Sequence, residues 1–269
     1  MAIASHRLSI LTSREIDDLY GLPRFTEDDR RLYFDLSAAE REAVDTPIAS
    51  VAVHLILQLG YFKAKCQFFA YAESAVLEDL RYVLDRYFPG RELASIKMPS
   101  RPTRIEQQRI ILKLFDYRLC DSAAKLDLER KAQRLARLST QPVYLLREML
   151  QHLAHQRIVA PPYTFLQDLV GRVVTAERKR ITQLLAQALT PAVENQLDAL
   201  LQADEGMYRI TTLKHEPKDF SYKALRQEVD RRKFFQPLHE FAQAFLATTG
   251  LSNESVKYYA SNSRQAVCI

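Results

Sequence analysis

The stretch PIASVAVHLILQLGYF, residues 47–62, limits what this chain can fold into more than any other. It is apolar almost throughout, yet shorter than the roughly 20 residues that span a bilayer. His54 and Gln58 also interrupt it. The run therefore predicts a buried helix that starts at Pro47 and ends near Gly60. The first residues lack the apolar core of a signal peptide.

The rest of the chain is also written for helix. Six glycines and no tryptophan, among many Leu, Ala, Gln, Arg and Glu, favour helix over sheet. Prolines and caps divide the sequence into elements. Short helices are expected around Ser13 to Leu19 and Thr26 to Phe34, and another behind the capping box Ser37-x-x-Glu40. ESAVLEDLRYVLDRYF follows the apolar helix and is stopped by Pro89 and Gly90. RPTRIEQQRIILKLFDYRL looks helical, with Thr103 and Glu106 spaced as a capping box. Further helices are QPVYLLREMLQHLAHQ, a long one from Thr164 to Leu189, and PAVENQLDALLQ. MYRITTL suggests a short strand, and helices resume with YKALRQEVDRRKFF and PLHEFAQAFLATTG, the latter capped by Gly250.

These elements imply an all-α chain of two or three small helical bundles of helix-turn-helix-like type. The stretch ASIKMPSRP, with two prolines and few apolar residues, reads as a module boundary. The expected division is an N-terminal helical domain over 1–98, a basic helical domain over 99–190, and a third helical module over 191–269.

The net charge of +5 is modest, but its distribution is uneven. Residues 1–50 hold six basic and ten acidic groups, whereas residues 101–150 hold eleven and six. In DSAAKLDLERKAQRLARLS, Leu128, Ala132 and Leu135 recur at i, i+4, i+7 and predict a buried face. Arg130, Arg134 and Arg137 recur at the same spacing on roughly the opposite side. Arg109 and Lys113 lie on the wet face of the preceding helix. Adjacent basic stripes suit a polyanion whose phosphates repeat along a groove. The bland alternative is a solvated face in which Asp127 pairs with Lys131.

Other candidates carry similar pairs of readings. Arg101 and Arg104 in SRPTR form either a basic arm for a minor groove or a basic linker. Arg172 and Lys179, with Arg178 and Arg180 beside them, either grip phosphate or keep the long helix soluble. Lys63 and Lys65 are a weaker version of the same idea. Glu148, His152 and His155 share a helix face, but one helix supplies at most part of a metal site, so no metal is expected. Tyr117, Tyr144, Tyr163 and Phe165 are able to stack on bases, but among leucines at helical spacing they read as core. Cys66, Cys120 and Cys268 match no zinc spacing and no disulfide framework, which points to a reducing cytoplasm. No phosphate-binding glycine loop, nucleophile elbow or Cys/His nucleophile pair at a recognisable spacing is present.

Several blocks resemble the N-terminal region of the class II replicative transposases, the Tn3 family. They are LTSREIDDLYGLPRFTEDDRRLYFDLSAAE, SRPTRIEQQRIILKLFDYR, RIVAPPYTFLQDLVGRVVTAERKRI and LTPAVENQLDALLQADEG, with ITTLKHEPKDFSYKALRQEVDRRKFFQPLHEFAQAFLATTGLSNESVKYYAS last. The resemblance implies helical domains that bind the transposon's terminal inverted repeats. The Asp-Asp-Glu catalytic site of that family lies in a large C-terminal domain, and its members are several times longer than this chain. SNSRQAVCI departs from the family pattern, which suggests a truncated end. The expectation is sequence-specific binding of double-stranded DNA at transposon ends, without catalysis, cofactor, small-molecule substrate or membrane. A homodimer or a transposase partner would accompany it at the bacterial nucleoid. The rival expectation is a helical protein–protein module that acts on a full-length transposase, which suits the acidic N-terminal part better.

Overall fold

The computed structural model describes residues 8–251, apart from 205–206, 209, 212–215 and 217–218. The fold is all-α. In chain order the helices are α1 (Ser13–Tyr20), α2 (Glu27–Tyr33), α3 (Ala38–Val44), α4 (Ala49–Lys65), α5 (Leu77–Tyr87), α6 (Arg101–Phe115), α7 (Ser122–Leu138), α8 (Pro142–His155), α9 (Tyr163–Ala188), α10 (Pro191–Leu201) and α11 (Tyr222–Thr249). A two-residue antiparallel ladder, Ala203–Asp204 with Met207–Tyr208, takes up only the start of the expected strand, and Ile210 and Thr211 lie in a tight helical turn instead.

The chain divides into two compact units, Met1–Ala132 with Pro142–Gly171, and Gln133–Gln141 with Arg172–Ile269. The first is built around α4, where every residue from Ala52 to Phe62 is buried. Each fully buried Leu, Ile, Val or Phe contributes about 1.5–3 kcal/mol, so this helix dominates the unit's stability. The three breaks in its apolar run are all used. His54 Nδ1 meets the Tyr71 hydroxyl at 3.3 Å. The Gln58 amide donates to the Phe69 carbonyl at 2.8 Å. Gly60 lets the Phe34 ring lie against the helix, since a Cβ there would come within 2.4 Å of it. For that reason the helix runs past Gly60 to Lys65, where Cys66 closes it at φ 49° by donating to the Phe62 carbonyl.

Three short helices are fixed by reciprocal caps. Thr12, Thr26 and Ser37 each accept from the third residue of their helix, and Glu15, Asp29 and Glu40 bond back. Such caps stabilise by about 1 kcal/mol each. Thr12-x-x-Glu15 was as legible in the sequence as Ser37-x-x-Glu40.

The expected boundary at 98/99 is not a break in packing. Ile96 is buried, and the Lys97 amide donates to Ser50 Oγ at the start of α4. Gln107 donates to the Val51 carbonyl at 2.9 Å, and Ile111 belongs to the same buried cluster as α4. The division instead falls within α7 and α9. In the second unit α10 packs on α11. α11 is one helix with Pro237 inside it, not the two expected, because a proline removes one helical hydrogen bond without having to end the helix. The SNSRQAVCI departure lies outside the described residues.

Candidate nucleic-acid interface

α6 begins at Arg101, so Arg101 and Arg104 sit in a helical first turn and not in an arm or linker. Ser100 caps the helix by accepting from the Thr103 amide, and Pro102 fits there because its missing N–H has no helical partner to lose. Glu106, expected to complete a box with Thr103, pairs with Arg109 at 3.2 Å. That pair is exposed on both sides and contributes tenths of a kcal/mol. Arg101, Arg104 and Lys113 are exposed and have no acidic partner among the described residues. Ile105, 42% exposed, stands between the arginines of the first two turns.

On α7 the expected faces are observed. Ala124, Leu128, Ala132 and Leu135 are buried, and Arg130, Arg134 and Arg137 are exposed on the other side. None of the three arginines has an acidic partner among the described residues. Asp127 bonds His152 Nε2 at 2.9 Å and does not pair with Lys131. The bland reading therefore lacks its neutralising pair. Lys125 lies 5.5 Å from the centre of the Phe165 ring, which keeps its charge at the surface over an aromatic face.

The remaining candidates separate. Arg172 and Lys179 are exposed on α9. Arg180 makes two bonds to the buried Glu177 and serves the helix itself. Lys63 and Lys65 are not available to phosphate. Lys63 bonds Glu40 at 2.9 Å, and Lys65 donates to the Gly21 carbonyl at 2.6 Å, where burial lowers its pKa. His152 is taken by Asp127, His155 is exposed, and no cluster of three metal-ligating side chains occurs among the described residues. Tyr117 packs edge-on against Phe62, and Tyr163 lies beside Tyr20. A bond to Cys66 and burial push the Tyr117 hydroxyl up to about 12. Cys66 and Cys120 are free thiols, and burial raises Cys120.

The sequence reading missed one feature beside Arg101 and Arg104. A cleft of about 340 Å³ is lined by Gln58, Gln107, Phe68, Phe69 and both arginines. Gln58 is 8% exposed and Gln107 2%, and the side-chain oxygen of each accepts no hydrogen bond. An unsatisfied buried acceptor costs about 1–3 kcal/mol. Both oxygens are closed off from solvent. The only signal in the sequence was a pair of glutamines in otherwise apolar helical faces.

A model of one family matches residues 10–173, from just before α1 to the middle of α9. That stretch is more than half of the chain. The chain belongs to the DUF4158 family. DUF4158 is described only as a domain of unknown function. No curated protein sequence matches the chain. The DUF4158 stretch contains α4 with its buried cluster, the whole of α6 and the arginines of α7. No described helix is long and apolar enough to cross a membrane.

Proposed function

We propose that this DUF4158 chain binds double-stranded DNA, as the non-catalytic N-terminal region of a Tn3-type transposase held at a transposon's terminal inverted repeats. The observation that carries the reading is the row Arg130, Arg134 and Arg137, exposed opposite the buried face of α7 without acidic partners among the described residues. The α6 cations Arg101, Arg104, Arg109 and Lys113 are exposed as well, and Arg172 and Lys179 add two on α9. Guanidinium groups suit phosphate because each presents a planar fork of donors. Phosphate contacts supply most of the affinity, and a few base contacts choose the site. The site of action would be the bacterial nucleoid.

Fluorescence anisotropy over a salt series tests this, with a transposon end and a scrambled duplex of equal length. Neutralising about five phosphates gives a slope of log K against log salt near −4 to −5. Tighter binding to the end sequence supports the specific reading. Equal binding to both duplexes reduces it to general DNA affinity, and a flat salt response removes it.

A second reading has its own observation. Tyr222, Leu225 and Val229 are 81%, 50% and 51% exposed and share one face of α11, with Phe220 91% exposed just before it. An exposed apolar row of this kind fits a protein partner, such as a full-length transposase. Cross-linking on a Val229→Cys variant tests it.

A further inference from the structure

The exposed face of α7 carries more than its arginines. At 3.6 residues per turn, Leu126, Arg130, Gln133 and Arg137 fall within about 60° of one another, opposite the buried Ala124, Leu128, Ala132 and Leu135. Arg134 and the half-buried Glu129 flank this line, each about 70° from its centre. Asp127 lies farther round and is bonded to His152. Leu126 is 50% exposed. Arg130, Gln133 and Arg137 are exposed and make no side-chain hydrogen bond or ion pair among the described residues. The line therefore offers three chemistries to a partner: cation, amide and aliphatic group.

Its dimensions match a groove of duplex DNA. From Leu126 to Arg137 the line is about 16.5 Å long at 1.5 Å per residue, the length of about five base pairs. A helix about 10–12 Å across with its side chains fills a major groove about 12 Å wide. Phosphates stand on the walls of that groove, and base edges form its floor. The arginines of α7 complement the charge of those walls. A helix seated there reaches the walls with its flanking side chains and the floor with its centre line. Each side chain of the line has a partner on the floor. An arginine forks to guanine O6 and N7, a glutamine amide pairs with adenine N6 and N7, and an aliphatic group covers the thymine methyl.

We infer, resting on the duplex reading, that α7 enters the major groove along this line and chooses the sequence there. Arg130 and Arg137 read guanines about three base pairs apart, Gln133 reads an adenine between them, and Leu126 covers a thymine methyl at the far end. Arg134 holds a backbone phosphate and carries no sequence preference.

Selection from a randomised duplex by the full chain tests this, followed by fluorescence anisotropy on the selected duplex and on a scrambled one. The selected duplex is expected to hold two guanines about three base pairs apart, on either strand, with an A·T pair between them. Gln133→Ala, at an exposed position, should weaken the selected duplex by about tenfold and leave the scrambled one unchanged. Gln133→Arg should move that one pair from A·T to G·C in a selection of its own. Arg134→Ala should weaken both duplexes alike and lower the salt slope by about one. Three results overturn the assignment: a selected sequence that neither Gln133 variant alters, equal losses on both duplexes from Gln133→Ala, or binding without any selected sequence. Each of them leaves the duplex reading standing, because the wild-type chain still binds DNA. Absence of binding to every duplex removes the duplex reading itself, and this assignment with it.

Discussion

α4 and α7 are both 17 residues long, and they treat polar side chains in opposite ways. α4 buries its whole central stretch, and the lysines at its end are tied down, Lys63 to Glu40 and Lys65 to the Gly21 carbonyl. α7 buries one face and leaves Arg130, Arg134 and Arg137 exposed on the other, none paired with an acid among the described residues. The same contrast holds for the regions around them. Before residue 98, Arg30 bonds Asp79 and Glu78, Arg31 bonds Glu27 and Arg86 bonds Asp35. Between 101 and 150 most cations have no such partner among the described residues. Charge in the first region holds the fold, and charge in the second is left for something outside it. A formal balance of +5 hides this, because pairing and not counting decides which charges a partner meets.

Four experiments break or sharpen the contrast. The largest effect is expected at Asp79, which accepts from Arg30 Nε and the Tyr61 hydroxyl, each at 2.7 Å. Asp79→Ala leaves the buried Tyr61 hydroxyl without its acceptor and the largely buried Arg30 with only the exposed Glu78, and should cost about 3 kcal/mol in urea unfolding. A loss under about 1 kcal/mol would mean that charge in the first region is not structural. Glu40→Ala removes a cap on the Ser37 amide and the partner of Lys63, and should cost about 1–2 kcal/mol by the same assay.

The third experiment addresses the other side of the contrast. Replacing Arg130, Arg134 and Arg137 together by Ala should change stability by no more than about 0.5 kcal/mol per site. It should flatten the salt dependence of duplex binding by about one unit of slope per arginine that meets a phosphate. Large destabilisation with unchanged binding would reverse the assignment of α7.

The smallest effect concerns His54, which is buried and whose pKa burial lowers to about 4, against a bond that the ring donates to the Lys97 main chain, which raises it. The neutral ring is the folded form. Its contribution is fully present above the unfolded pKa of about 6.5. It is lost as pH falls from there towards about 4, because the unfolded chain takes up the proton first. His54→Gln should flatten that acid limb in denaturation curves collected between those pH values, with α4 otherwise intact.

How much of this was written in the sequence varied by element. The buried helix from residue 47, the cap at Ser37 and the opposed faces of α7 were legible because periodicity and capping are local rules. α4 overran its expected end because Gly60 serves a neighbour, the Phe34 ring, and no local rule contains that neighbour. The stretch ASIKMPSRP read as a linker from its prolines, yet Ile96 is buried and Ser50 holds the Lys97 amide. Lys63 and Lys65 looked like surface cations until their acceptors, 23 and 44 residues away along the chain, were placed beside them.

Residue order alone determined the helical class, the start of most helices and the cationic row on α7, since each depends on neighbours within a few positions. Only the tertiary structure decided which cations remain unpaired among the described residues, where the compact units divide, and that Gln58 and Gln107 come to line one cleft with Arg101 and Arg104. Those outcomes depend on groups far apart in the chain being brought within a few ångströms, and hydrogen bonding and ion pairing act only at that range.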